Sequence, residues 1–167
     1  MELKYKNTLI IVVYKREAKL IKYLLLKRKL HGKSWELPRA DIEEKISAIK
    51  TIKKEIKRQT NQVPYYIKKY SFQGKYKYEK INSNQEIIGN KYKLYSAEIK
   101  NSNIKLDSLT HLDYKFLDYK KAIEILNLKE ERQSLILVNE KLLTIFHLKP
   151  KVSFKQKFQK RLKRKKK

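Results

Sequence analysis

The chain has 167 residues, the length of one domain with an extension, so one buried core and no second domain are expected. Its hydrophobic share of 41% is ordinary for a folded protein, but 43 Lys and Arg stand against 17 Asp and Glu, a formal net charge of +26 that calls for an anionic partner. The absence of Cys excludes a disulfide framework and a thiolate metal site, and no window approaches the roughly 18 apolar residues of a membrane span.

In chain order, "NTLIIVVYK" and "KLIKYLLLKRK" are aliphatic runs separated by the charged turn "REAK", which predicts a β-hairpin. "LHGKSWELP" reads as a loop entering a short strand that Pro38 closes. From Ile46 the residues Ile46, Ile49, Ile52 and Ile56 recur at spacings of three and four with lysines between them, which predicts an amphipathic helix burying an isoleucine stripe. Asp41, a few residues before it, is placed to favour the positive end of that helix. Beyond Pro64, "YYIKKYSFQGKYKYEK" and "NKYKLYSAEIK" alternate aromatic residues with lysine and predict two strands flanking the polar loop "INSNQEIIGN". A strand around Tyr114 to Leu117, a short helix near Tyr119 to Leu126 and a longer one from about Glu130 to Phe146 complete the body. At Pro150 the composition changes, so the chain divides into a domain over 1–148 and a basic tail over 149–167.

The order of these elements, together with the stretch Trp35 to Gln62, resembles the Nudix hydrolase superfamily. That family's box runs Gly, five residues, Glu, seven residues, then Arg-Glu-aliphatic-any-Glu-Glu-any-Gly-aliphatic. Placed here without a gap, it falls on Ala40, Ile46, Lys54, Glu55, Ile56, Arg58, Gln59, Asn61 and Gln62. Glu55 and Ile56 match, and Lys54 is a like-charge substitute. "HGKSWELP" resembles the lead-in of the dinucleoside-tetraphosphate hydrolase branch, and Glu43 sits where that branch places an extra Glu. "HLDYKFLDYKKAIEIL" resembles the branch's closing strand and helix, with Phe116 where a Trp is common. The resemblance covers about Asn7 to Phe146. It implies an α/β (α+β) fold, an α/β/α sandwich with a mixed sheet, to which the basic C-terminal extension is added.

The resemblance also implies a chemistry, and the substitutions oppose it. The family's glutamates hold divalent cations that polarise a diphosphate and activate water, which takes several hard oxygen ligands. Here the paired glutamates are Arg58 and Gln59, and Ile46 replaces the earlier one. Arginine cannot give up its charge, and like charges about 4 Å apart repel by about 4 kcal/mol at an effective dielectric near 20. Ala40 stands for the loop glycine, and Asn61 for the terminating one, a milder change because Asn tolerates the left-handed conformation. The box therefore reads as a relic comprising Ala40, Glu43, Ile46, Lys54, Glu55, Arg58 and Gln59, with no catalytic residue, metal or cofactor expected. The alternative is a divergent hydrolase of dinucleoside polyphosphates, nucleotides or capped RNA that uses Mg²⁺ on a relocated set such as Glu43, Glu55 and Glu98. No replacement site is visible: His31, His111 and His147 are widely separated, no serine stands in a nucleophile elbow, and three glycines make no phosphate-cradling loop.

The tail "KPKVSFKQKFQKRLKRKKK" has no acidic residue. Phe154, Phe158 and Leu162 recur every four residues, so a helix there would gather them on one stripe. Lys151, Lys155, Lys157, Lys160, Arg161, Lys163, Arg164, Lys165, Lys166 and Lys167 surround that stripe, and with Phe154 and Phe158 they are the candidate RNA-binding residues. Eleven Lys and Arg lie in the tail, so about +15 of the charge of +26 belongs to the body. A lysine-rich coding bias would raise Lys but does not explain the scarcity of acids. Charge of this size favours RNA, because neutralised phosphates release counterions; rRNA within a ribosome or ribonucleoprotein is the expected partner, and an anionic membrane surface the competitor. With no leader-like amino terminus, an intracellular, cytoplasmic location is expected.

Overall fold

The computed structural model describes residues 4–30, 34–78 and 87–148. Strands β1 (Lys4–Glu17) and β2 (Leu20–Arg28) form the expected hairpin, and Ala18 at its turn takes a left-handed φ of 49°. They are followed by β3 (Trp35–Glu36), β4 (Arg39–Asp41), α1 (Ala48–Thr60), β5 (Tyr66–Lys77), β6 (Ile87–Glu98), β7 (His111–Leu117), α2 (Tyr119–Ile125) and α3 (Lys129–Ile145). The strands make one mixed sheet in the order β3-β2-β1-β6-β5, with β4 paired to β1 and β7 to β2. Strand β1 lies parallel to β6, from Tyr5 opposite Gly89 to Tyr14 opposite Glu98; the other pairings are antiparallel.

The unbroken aliphatic runs of β1 and β2 follow from burial on both faces. Ile10, Val12 and Tyr14 face Leu135, Val138 and Leu142 of α3, whereas Leu9, Ile11 and Val13 face Ile52 and Ile56 of α1. Helices thus cover both faces of a mixed sheet, the α/β/α sandwich expected from the sequence.

Three local expectations are corrected. The helix α1 begins at Ala48, because the Ser47 side chain accepts the amide of Lys50 and caps it; Ile46 stays outside the helix, and Ile49 is 40% exposed. The buried face is Ile52 and Ile56 with Thr51, Gln59 and Thr60, so polar residues complete the stripe. The chain resumes after Pro38 as β4, which pairs Arg39, Ala40 and Asp41 with Ile10, Leu9 and Thr8. Asp41 consequently serves no helix end and is bound by Lys6 at 2.6 Å. Finally, β6 starts at Ile87, inside the segment read as a loop.

The hairpin of β5 and β6 depends on Gly89. A Cβ there would stand 2.0 Å from the Tyr76 carbonyl oxygen and 2.9 Å from Lys77 Cα, both backbone atoms. Gly89→Ala should therefore force the strands apart and cost about 1–3 kcal/mol, measured as a lower urea midpoint; an unchanged midpoint would show that the ladder yields without strain.

Candidate functional site

The polar side of α1, strand β4 and the segment before β7 enclose a cleft of about 660 Å³. Lys54, Glu55, Arg58 and Gln59 reach it from α1, because residues three and four apart share a helix face. Asn61, with φ 56°, ends the helix in the left-handed conformation, and its amide donates to Lys57 O. From the opposite wall come Glu36, Arg39, Glu43, Thr110 and His111.

The centre of this arrangement is the Arg58 guanidinium. Its Nε donates to both Glu55 oxygens at 3.2 and 3.1 Å, and its Nη1 bonds the Asp107 carboxylate. Gln59 Nε2 adds a donor to Glu55 Oε1 at 2.8 Å and also donates to Arg39 O at 3.1 Å. Bonding to Glu55 first, and then attraction to both carboxylates, raises the Arg58 pKa further, so its charge is permanent. Asp107 is held below the usual carboxylate range, first by the Leu109 amide and then by the Thr110 hydroxyl and Arg58.

The other carboxylates of the cleft are also engaged. Lys54 Nζ binds Glu43 at 3.1 Å, while Glu36 receives Arg28 at 3.5 Å and stands 3.3 Å from His111 Nε2. His111 Nδ1 meets Thr110 Oγ1 at 2.9 Å, and that hydroxyl donates to Asp107 at 3.0 Å. Ion pairs and hydrogen bonds therefore run from α1 to β3 through the segment before β7.

Of the box positions, Ala40, Glu43, Lys54, Glu55, Arg58 and Gln59 line the cleft, and Ile46 does not. Ala40 lies in the β4 ladder opposite Leu9, 5% exposed in the core under α1, so it occupies a strand and not the loop position expected of it. Ile46 is half-buried before α1, and its amide donates to Glu43 O at 3.1 Å. The relocated set of Glu43, Glu55 and Glu98 is not brought together. Glu98 is 3% exposed at the far end of β6, bound by Tyr14 and Arg16, and its ladder partner Tyr14 packs toward α3 and not α1. The proposed RNA-binding residues, Lys151 to Lys167, lie outside the described residues, as does His31.

The residues present do not fit a divalent cation. Such an ion needs several free oxygen ligands, whereas Arg58, Lys54 and the Gln59 amide nitrogen present donors, and these engage Glu55 and Glu43. Among the described residues no group of three or more His, Asp or Glu is placed to hold a metal ion. Asp107, Glu36 and His111 were invisible as site residues from sequence, since Asp107 lies 49 positions from Arg58 with no motif linking them. Among the described residues no helix is long and apolar enough to cross a membrane.

No family model and no curated protein matches the sequence. Solved structures do match. A Caenorhabditis elegans Ap4A hydrolase in a binary complex superposes with a TM-score of 0.66 at 18% identity, over 83% of this chain and 98% of that one. The Escherichia coli dihydroneopterin triphosphate pyrophosphohydrolase does so with 0.64 at 17% identity, over 81% and 95%. Shewanella oneidensis NrtR complexed with a 27mer DNA matches with 0.63 at 20% identity, over 82% of this chain and 62% of that one. At these identities the likeness is one of architecture: the chain has the fold of the Nudix hydrolases.

Proposed function

We propose that this Nudix-fold chain is a catalytically silent scaffold that binds RNA, with rRNA in a cytoplasmic ribosome or ribonucleoprotein as its partner. The observation that carries the loss of catalysis is Arg58, whose guanidinium bonds Glu55 and Asp107 where the family's box would present carboxylates to a cation. No divalent cofactor is expected in the cleft, and no water would be activated there.

The binding half of the proposal rests on charge. A net +26 on 167 residues, shared between body and tail, suits a polyanion, and the acid-free run of 149–167 suits the phosphate density of folded RNA. The fold itself does not decide between hydrolysis and binding. NrtR, solved once with DNA and once as a Nudix domain with ADP ribose, offers an analogy for a Nudix fold in a nucleic-acid-binding protein.

Two measurements test the reading. The purified protein should release no product from a dinucleoside tetraphosphate with Mg²⁺ or Mn²⁺, and turnover abolished by Glu55→Gln would overturn the silent reading. In sedimentation with ribosomes at rising salt, association should persist at concentrations that strip a simple polycation; complete release at moderate salt would reduce the protein to a nonspecific binder.

A further inference from the structure

The sheet face that carries α1 extends past the helix. Leu9, Ile11 and Val13 of β1 and Tyr95 and Ala97 of β6 share a core with Ile52 and Ile56 of α1. Towards the beginning of β1 the same face continues in three cross-strand rows. Tyr5 lies beside Gly89 and Lys77, Asn7 beside Lys91 and Lys75, and Leu9 beside Lys93 and Gln73. All four of these lysines are exposed, as are Asn7 and Gln73, and Tyr5 is half-buried. The rows border a shallow groove of about 570 Å³, and no carboxylate lines it among the described residues.

The charge here works against the fold. Lys75 and Lys91 are directly opposite each other in the ladder, an arrangement that destabilises a sheet. Both ammonium groups sit 5.7 Å from the centroid of the Tyr5 ring, so one aromatic ring is shared by two cations. Among the described residues, no carboxylate lies within 4.0 Å of Lys75, Lys77, Lys91 or Lys93. Lysine on an exposed strand commonly guards the edge against aggregation, and β5 is the last strand of the sheet. That reason covers Lys75 and Lys77 alone. Lys91 and Lys93 belong to β6, paired on both sides by β1 and β5, and guard no edge.

Resting on the RNA-binding reading above, we infer that this face, covered by no helix among the described residues, is an RNA platform on the folded body, distinct from the cleft. Lys75, Lys77, Lys91 and Lys93 take the phosphates of a single-stranded segment, and the Tyr5 ring stacks on an unpaired base. Lys91 and Lys93 stand about 7 Å apart along one strand, both on the same side, so a backbone lying along β6 meets them in succession. The polar Asn7 and Gln73 between the lysines suit a sugar-phosphate backbone. An anionic lipid surface would instead be met by an apolar stripe able to insert.

The test uses the full chain and a labelled 20-nucleotide oligo(U) RNA, with affinity read by fluorescence anisotropy across a salt series. Lys91→Gln with Lys93→Gln should weaken binding about tenfold and make the log–log salt slope shallower by about 1.4, at about 0.7 per phosphate released. Lys75→Gln with Lys77→Gln, on the edge strand, should repeat the loss independently of any packing effect on β6. Tyr5→Leu should weaken binding roughly fivefold or more while keeping the slope, since stacking is lost and charge is not. The charge-matched control, Lys120→Gln with Lys121→Gln on exposed positions of α2 at the opposite face, should keep wild-type affinity and slope. Equal behaviour of the platform and control variants would overturn the platform and leave RNA binding by the chain intact. Failure of the wild type to bind the RNA would overturn the proposed function and the platform with it. Loss of binding to phosphatidylserine vesicles, with RNA binding unchanged, would overturn the platform in favour of a lipid surface.

Discussion

Replacing Glu131 by alanine should destabilise the protein by roughly 3–5 kcal/mol, read as a fall in the urea midpoint. Glu131 is fully buried in the first turn of α3, and its Oε1 accepts Arg39 Nε and Nη2 at 3.1 and 2.7 Å. Arg39 Nη1 donates to the Tyr76 hydroxyl at 2.6 Å, which also receives Asn90 Nδ2 at 2.7 Å. The network ties β4, β5, β6 and α3 together. Truncating one partner strands a guanidinium that has little access to water, which costs more than the intact pair contributes. Arg39→Met with Glu131→Leu should therefore recover most of the loss, and a double variant as unstable as the single would refute the stranded-charge account.

The same pair should make stability depend on pH. Burial pushes the Glu131 carboxyl up to about 7, against the opposing pull of Arg39. Its ordinary value is 4.5, so the folded protein holds the proton more tightly than the unfolded chain does. This contribution is fully present below about pH 4.5 and is lost as pH rises through about 7. Urea midpoints of the wild type and the Arg39→Met, Glu131→Leu variant should diverge across that window; parallel curves would show that Glu131 does not titrate there.

Arg58→Glu with Gln59→Glu should raise the affinity of the cleft for Mn²⁺ or Mg²⁺ above that of the wild type. The two substitutions remove the donors now on Glu55 and set three carboxylates on one face of α1, with Asp107 opposite. In chelator the variant should melt below the wild type, because the Arg58 bonds are gone and the carboxylates repel. With Mn²⁺ at a hundred times its dissociation constant, binding would return about 2.7 kcal/mol, a rise of several degrees in Tm. Catalysis is not expected to follow, since Ala40 is locked in the β4 ladder and Ile46 brings no ligand. A melt indifferent to metal would mean that the box has been placed on the wrong residues.

The sequence by itself determined most of the local elements, and the resemblance it carries anticipated the architecture. The hairpin, α2 and α3 follow from periodicity and turn residues that act within a few positions, and the box spacing located α1 and its polar side. Charge counting alone called for a polyanion. Where neighbours in space decided, the reading fell short. Strand β4 is three residues long, too short to show a period, and forms only because β1 offers a paired edge. Ile49 obeys the helical spacing yet is exposed, because α1 packs through a face closed by Thr51, Gln59 and Thr60. The contact of Arg58 with Asp107 spans 49 positions and that of Arg39 with Glu131 spans 92. The lysine rows of the platform need the parallel register of β1 with β6 and the antiparallel register of β6 with β5. Periodicity reports which side of an element is apolar, but the partner across a cleft or a ladder is set by chain folding that joins distant segments, and a local pattern carries no record of it.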